Sequence, residues 1–319
     1  MILVTGGAGY IGSHTCQYLK EMGEEVIVVD NLSTGFQDSV YADHFYDLDI
    51  RDEKLQKVFE RHPIDGVIHF AASSLVGVSM EQPSVYYDNN LVGTLRLLDC
   101  MRAAGTENIV FSSTAATYGE PKRIPIEESD PTEPTNPYGE TKLAMEKMMR
   151  WFDKAYGLKY VALRYFNAAG ASKDTSLGER HNPETHLIPL ILQVPLGRRQ
   201  HISIFGEDYP TPDGTCVRDY IHVIDLAQAH YLAYQYLKAG SESEVFNLGN
   251  GNGYSVRQVI EVARDVTHHP IPAVSEARRP GDPAVLVASS QKARDILGWA
   301  PKHTQLKEIV EDAWNFYNK

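Results

Sequence analysis

Tyr138 and Lys142 are the pair in this chain best suited to moving a proton at neutral pH. On a helix, a spacing of four places both side chains on one face, one turn apart. A phenol left to itself is a poor base, with a pKa of about 10. A neighbouring ammonium favours the phenolate, and a positively charged cofactor adds to the effect. Such a tyrosine can take a hydroxyl proton while the carbon beneath it gives up a hydride. Thr114 closes an apolar run from Asn108, so its hydroxyl can hydrogen-bond the reacting oxygen and pass the proton on. The chemistry is that of alcohol oxidation. A Tyr-x-x-x-Lys pair alone is common, so the reading depends on what surrounds this one.

The elements that must position the pair begin at the first residues. Ile2-Leu-Val-Thr5 runs into glycines spaced Gly6, Gly9 and Gly12. A helical pattern follows, with Ile11, Thr15, Tyr18, Leu19 and Met22 predicted on one face. A strand, a tight glycine turn and a helix form a cradle for a dinucleotide pyrophosphate, whose charge meets the free N–H groups of the helix start. Tyr10 and Ile11, between the last two glycines, are counted with that cradle. The strand Val26–Val29 ends in Asp30, followed by Asn31, where an acid meets the adenosine ribose. A carboxylate there repels a 2′-phosphate, so NAD is the expected cofactor rather than NADP. Asp49 and Ile50 are candidates for an adenine contact and an apolar wall. Their alternative is a loop leading to a helix capped by Asp52.

The strand Gly66–Phe70 ends in Ala71 and Ala72, small residues that let the backbone pass close to a cofactor, and Phe70 is placed with them. A long helix is predicted over 84–104, with Tyr87, Leu91, Leu95 and Leu98 on its apolar face. Asn90 within it is either a satisfied core group or a cofactor contact. Ser112 and Tyr165, at the ends of two further strands, complete the cofactor set. Alternating strands and helices through Tyr165 describe an α/β chain with a Rossmann-type, doubly wound parallel sheet. The proline- and acid-rich stretch 121–137 cannot be regular structure.

Beyond residue 166 the pattern changes. A smaller C-terminal α/β substrate-binding domain is expected over 167–319, with later segments returning to the first domain, 1–166. Arg218 and Arg279 are its candidates for a diphosphate, because a guanidinium fork matches phosphate oxygens. With 319 residues, 43% hydrophobic and 23% charged, the chain can bury a substantial core. Its net charge of −12 disfavours a nucleic-acid partner. Cys16, Cys100 and Cys216 are scattered, with no Cys-x-x-Cys and no histidine cluster at metal spacing, so no metal is expected. They suit a reducing compartment, and without a leader or bilayer-spanning run a cytoplasmic location and no membrane partner are expected.

Together these residues resemble the extended short-chain dehydrogenase/reductase family, in its nucleotide-sugar epimerase branch. The resemblance rests on Thr5-Gly-Gly-Ala-Gly-Tyr-Ile-Gly12, the Tyr138/Lys142 pair and Thr114. It extends through 29–32, 47–52, 69–72, Arg164-Tyr-Phe-Asn167, Val217-Arg-Asp-Tyr-Ile-His-Val223 and Arg278-Arg-Pro-Gly-Asp282. It implies a UDP-sugar substrate lined by Asn167, Leu187, Ser203, Phe205, Arg218, Arg279, Asp282 and Leu286, with Thr114 and Tyr138 at the sugar. It also implies transient oxidation at C4, turnover of the 4-keto sugar and return of the hydride to its other face. A homodimer pairing through helices 84–104 and 138–156 is implied as well. Family members that dehydrate or decarboxylate carry an acid after the strand-end hydroxyl; Ala115-Ala116 here argues against elimination. Ser73-Ser74 stands where many relatives carry a charge. Leu286 falls where, in the family, bulk helps decide whether a C2 N-acetyl group fits. UDP-xylose or UDP-glucuronate epimerisation is an alternative. A non-catalytic NAD-sensing regulator is another, though that predicts loss of the Tyr138/Lys142 pair.

Overall fold

The computed structural model describes residues 1–279 and 282–319. Apolar, β-branched runs in the first half form parallel strands because both of their faces are covered by helices. The chain passes through β1 (Ile2–Thr5), α1 (Tyr10–Glu21), β2 (Val26–Asp30), β3 (His44–Asp47), α2 (Leu55–Arg61) and β4 (Gly66–His69). There follow α3 (Val76–Glu81), α4 (Pro83–Tyr86), a π turn at Tyr87–Val92, α5 (Gly93–Ala104), β5 (Asn108–Thr114), α6 (Pro137–Tyr156) and β6 (Lys159–Tyr165). The second half holds β7 (Asn167–Ala169), α7 (Leu187–Leu192), β8 (Ile202–Phe205), β9 (Val217–His222), α8 (Val223–Lys238), β10 (Glu244–Leu248) and β11 (Gly253–Ser255). It closes with α9 (Val256–Thr267), β12 (Ala273–Glu276), β13 (Val285–Leu286), α10 (Gln291–Leu297) and α11 (Leu306–Tyr317).

Seven strands form one parallel sheet in the order β10-β6-β5-β4-β1-β2-β3. The strand order reverses between β1 and β4, and the crevice outside their carboxyl ends is where ligands bind in such sheets. One face packs Ile2, Val4, Cys16 and Leu19 against Leu226, Ala229, Ala233 and Tyr234 of α8, so a helix from the second half covers the first. The other face packs Leu3, Ile27, Val58, Leu97, Met101, Met145 and Met149. A separate core around Ile188, Ile191, Ile204, Tyr220, Ile260 and Ile309 holds the second half together. There β9 sits between β11 and β13 and also pairs with β7.

The structure corrects three local expectations. Helix α1 ends at Glu21, and Met22 beyond it is 45% exposed, while Tyr10, His14, Cys16 and Leu19 form the buried face. Over 84–104 the π turn adds a residue to the helical repeat and shifts the buried stripe to Tyr86, Asn90, Thr94, Leu97, Leu98 and Met101. Tyr87 and Leu95, expected inside, lie exposed. The helix after Asp52 begins only at Leu55, and Asp52 instead accepts a hydrogen bond from the Lys54 amide (2.8 Å) in the preceding turn.

Candidate active site

The glycine turn is built to leave room for a ligand. Gly6 has φ +76°, and a Cβ there would lie 2.6 Å from the Ala71 amide nitrogen. A Cβ on Gly12 would come 2.1 Å from the Gly6 carbonyl, so only glycine lets the helix sit this close. Gly9 caps α1 without a side-chain hydrogen bond, which leaves the first amides of the helix for a ligand. The Thr5 carbonyl accepts from both Phe70 N (2.9 Å) and Ala71 N (3.1 Å), stitching the loops after β1 and β4 together. Half-buried Ala72 continues that loop.

Asp30 is buried at the end of β2, where Oδ2 accepts from Ala8 N (3.0 Å) and Oδ1 from Leu32 N (2.8 Å). Burial raises its pKa, and these two amides pull the other way. Asn31 donates to Asp49 (2.9 Å), and the Arg51 fork beside Asp49 holds that carboxyl well below the usual range. Ile50 is buried against the α-carbon of Gly93. A main-chain cradle, a ribose-side acid and an apolar wall fit a dinucleotide. Two residues counted with the cradle are partly used by the fold. The Tyr10 hydroxyl donates to Gly170 O (2.7 Å), and Ile11 packs on the core beneath the sheet.

The catalytic candidates meet where α6 crosses the end of β5. Asn136 caps α6, its side chain accepting from Gly139 N (2.9 Å), and Pro137 occupies the first turn. This fixes Tyr138, half-buried, one turn before Lys142. Lys142 Nζ donates to Ser112 O (2.8 Å), lies 4.9 Å over the Phe111 ring and is 5.9 Å from the Tyr138 ring centre. Burial pushes Lys142 down to about 7, with Glu146 opposing. Burial likewise pushes Tyr138 up to about 12, with the hydrogen bond from Thr114 opposing. Burial thus works against the charged form of both groups, and the ammonium that would favour the phenolate stands beside the ring on the same helix face.

Thr114 accepts from Ala116 N (3.1 Å), which sets its hydroxyl at the strand end. The Ser112 hydroxyl is bonded to the Tyr165 hydroxyl beneath it. The side chain of Asn90 is fully engaged: Oδ1 accepts from Ser73 N (2.8 Å), and Nδ2 donates to Ser73 O (3.1 Å) and Thr141 Oγ1 (3.0 Å). It thereby holds the loop of Ser73, the position where a charge was absent.

Beneath the pair lies an ion pair that sequence reasoning missed. Arg164 donates through Nε and Nη2 to Glu146 (2.9 and 2.6 Å) and through Nη1 to Tyr118 (2.9 Å); Ser113 donates to the same carboxylate. Glu146 is one turn beyond Lys142, so its position on the Tyr-x-x-x-Lys face is the signal that could have found it.

In the second half, β9 places Arg218 against Asp282 and, in register, opposite Leu286 of β13. Arg218 also donates to Val217 O (2.8 Å). The Arg279 guanidinium lies 4.0 Å over the Phe205 ring. Asn167 donates to Asp219 O (3.3 Å). Asp219 itself accepts from the amides of Asn250, Gly251 and Ala288, and burial outweighs these bonds to push its pKa up to about 6. Leu187 opens α7, and Ser203 donates to Glu276 (3.3 Å). Of the turn 278–282, Pro280 and Gly281 lie outside the described residues. Against the expectation of no metal-spaced cluster, Glu179, His181, Glu184 and His186 converge beside this half.

A glycine turn, a strand-end acid and a Tyr–Lys pair at the carboxyl ends of a doubly wound sheet are the arrangement that a nucleotide-dependent oxidoreductase-type site requires. Residues 2–249 match the NAD dependent epimerase/dehydratase family, and the chain belongs to it. It is 61% identical over 319 residues to UDP-glucose 4-epimerase of Halalkalibacterium halodurans, a match covering 100% of this chain and 96% of that protein. UDP-glucose 4-epimerase from Brucella ovis, solved in complex with NAD, is 48% identical with a TM-score of 0.96, covering 99% of this chain and 98% of that one. The enzyme of that name from Bifidobacterium longum, in complex with NAD+ and UDP, is 40% identical with a TM-score of 0.94 and the same coverage.

Proposed function

We propose that the chain interconverts UDP-glucose and UDP-galactose by NAD-dependent epimerisation at C4. The observation that carries this reading is the convergence of Tyr138, Lys142 and Thr114 at the carboxyl end of β5, beside the glycine cradle. Gly6, Gly9 and Gly12 would hold the pyrophosphate, Asp30 the adenosine ribose, and Lys142 the nicotinamide ribose. When bound, NAD+ supplies a hydride acceptor for C4 that also gives the hydride back.

Tyr138 takes the O4 proton, and the Thr114 hydroxyl holds O4 and relays that proton. Ala115 and Ala116 place no acid beside them, so the 4-keto sugar is kept from elimination. Arg218, paired with Asp282, and Arg279, stacked on Phe205, anchor the UDP diphosphate. With the nucleotide fixed at that end, the sugar can turn over and present its other face, and Tyr138 returns the proton. Asn167, Leu187, Ser203 and Leu286 complete the substrate set that the family resemblance implies.

Incubating the purified protein with UDP-galactose, without added cofactor and with chromatographic separation of the epimers, tests the reading. The expected outcome is conversion to UDP-glucose; no conversion even after NAD+ is added would overturn it. Half-buried Leu286, on the strand beside Arg218, favours a second reading in which UDP-GalNAc is also accepted. Conversion of UDP-galactose alone removes that second reading.

The assembly is a homodimer in this proposal. Val85, Tyr87, Val92 and Leu95 expose apolar surface along 83–104, and Trp151 and Tyr156 do so on α6. A monomer mass by light scattering would count against it. No helix among the described residues is long and apolar enough to cross a membrane. The three unpaired, buried thiols suit the cytoplasm.

A further inference from the structure

The segment 179–186 carries the spacing Glu-x-His-x-x-Glu-x-His and folds so that all four side chains turn toward one point. The four donor atoms lie within 4.8 Å of one another. His181 Nδ1 is 3.3 Å from Glu179 Oε1 and 3.4 Å from Glu184 Oε2. His186 Nδ1 is 2.9 Å from Glu179 Oε1 and 3.0 Å from Glu184 Oε1. A tetrahedral zinc ion with bonds of about 2.0–2.1 Å sets its donors about 3.3–3.4 Å apart. The two His181 separations match that edge, while the four donors, which span up to 4.8 Å, have to close in as the ion binds.

His186 is ion-paired to both carboxylates, and three further observations, centred on His181, point to a cation. His181 Nδ1 is a buried nitrogen with no hydrogen-bond partner, although two carboxylates face it. At 3.3 and 3.4 Å those carboxylates stand off at ligand–ligand distance rather than closing on it. Glu184 is also pre-set: its Oε1 accepts from Thr185 N (2.8 Å) and His186 N (2.9 Å), which fixes the carboxylate with Oε1 toward His186 and Oε2 toward His181. Such outer bonds are how metal-binding carboxylates are held in place.

We propose that Glu179, His181, Glu184 and His186 form a structural site for a divalent transition cation, with zinc the best chemical match. Two imidazoles and two carboxylates make a borderline donor set that suits zinc and is a poor one for the all-oxygen cations calcium and magnesium. Two carboxylates and two neutral imidazoles leave the filled site electrically neutral. Closed by four protein donors, it has no open position for catalysis.

Its place in the fold gives the ion a task. The His181 ring meets the Tyr10 ring edge-on at 6.3 Å, at the start of the cofactor-cradling helix. The Glu179 carbonyl accepts from the hydroxyl of Tyr317 in the last helix. His186 directly precedes Leu187, the first residue of α7, and Arg180 donates to Asp38 from the loop after β2 (3.1 Å). A cation here would pin one irregular segment against both halves of the chain.

The test uses the whole protein, stripped with chelator and titrated with zinc chloride against a chromophoric competitor. One zinc per chain is expected, with a rise in melting temperature on addition and a fall on renewed chelation. Cobalt(II) in its place should give the intense visible bands of a four-coordinate site. His181→Ala and Glu184→Gln should each lose zinc affinity by at least tenfold, with circular dichroism confirming that they fold. The proposal is overturned if the parent chain binds no zinc, or if both folded variants bind it as the parent does.

Discussion

Two arginine–carboxylate pairs bracket the site, and they are built for different work. Arg164 and Glu146 are 7% and 6% exposed and bonded through both edges of the guanidinium, with Tyr118 and Ser113 completing the set. Arg218 and Asp282 are 14% and 30% exposed, and their ion pair rests on a single guanidinium nitrogen. In the first pair both oxygens of the Glu146 carboxylate are taken and the ions have no room to move, so it serves as a foundation under Tyr138 and Lys142. Among the described residues the second uses only Nη1 and Nη2 of its guanidinium, and can engage an arriving phosphate while Asp282 steadies it. A saturated pair supports geometry, and an unsaturated one recruits charge.

The comparison can be broken at several points. Above the saturated pair, Tyr138→Phe should lower epimerisation by about 10²–10⁴-fold, the usual worth of a positioned acid–base, with the melting temperature little changed. A variant turning over within a few-fold of the parent would remove Tyr138 from the proton path. Arg164→Met should destabilise the fold by about 3–5 kcal/mol, because it leaves Glu146 buried and unpaired. The double change Arg164→Met with Glu146→Leu should recover most of that loss, as read by urea unfolding. Loss of stability that the second change does not repair would mean the pair is not the foundation described.

Arg218→Met should act the other way, raising KM for the UDP-sugar by about 10–100-fold, the value of a charge-assisted contact. Stability should change by no more than about 1 kcal/mol, given the partly exposed pair it removes. A stability loss matching that of Arg164→Met would erase the distinction between the two sites.

A smaller effect concerns Lys142, which gives up its proton near pH 7 in the folded chain against an ordinary 10.5. Between those values the folded state binds fewer protons than the unfolded one, so this group's contribution to stability rises with pH across that window. Its burial costs most below pH 7. Lys142→Met should therefore gain most over the parent at pH 6, with the advantage closing toward pH 10; a gap independent of pH would mean the lysine is not desolvated. The smallest change is Leu286→Tyr, which should slow UDP-GalNAc several-fold more than UDP-galactose. Equal slowing of both would place Leu286 away from the C2 substituent.

What could be read in the sequence was what the chain writes locally. The Gly6/Gly9/Gly12 turn, the acid ending β2 and the Tyr138/Lys142 spacing each lie within one strand–turn–helix unit, where residue spacing translates directly into geometry. Contacts between distant segments were less legible. Arg218 was legible as a cation, but its bond to Asp282 and its register opposite Leu286 depend on β9 and β13 meeting across some seventy intervening positions. The Arg164–Glu146 pair joins a strand to a helix, and residue spacing does not say that packing will bring the two charges together. The buried stripe of 84–104 was misread because the π turn Tyr87–Val92 breaks the 3.6-residue period on which the reading rested. Glu179, His181, Glu184 and His186 lie close in sequence, but only an irregular backbone turns alternate residues toward one point.

The returning strand β10 has a consequence for the order in which the chain matures on the ribosome. When residues 1–166 have emerged, six of the seven sheet strands exist, but the outer edge of β6 has no partner. The face of α1 that will meet α8 is also still bare. An exposed strand edge beside uncovered apolar surface invites pairing with other chains. The nucleotide cradle, although written in the first twelve residues, can be sealed only after residue 248 has been delivered. Synthesis therefore commits the two halves to folding together, and a stalled or truncated chain would present its cofactor half as a substrate for chaperones.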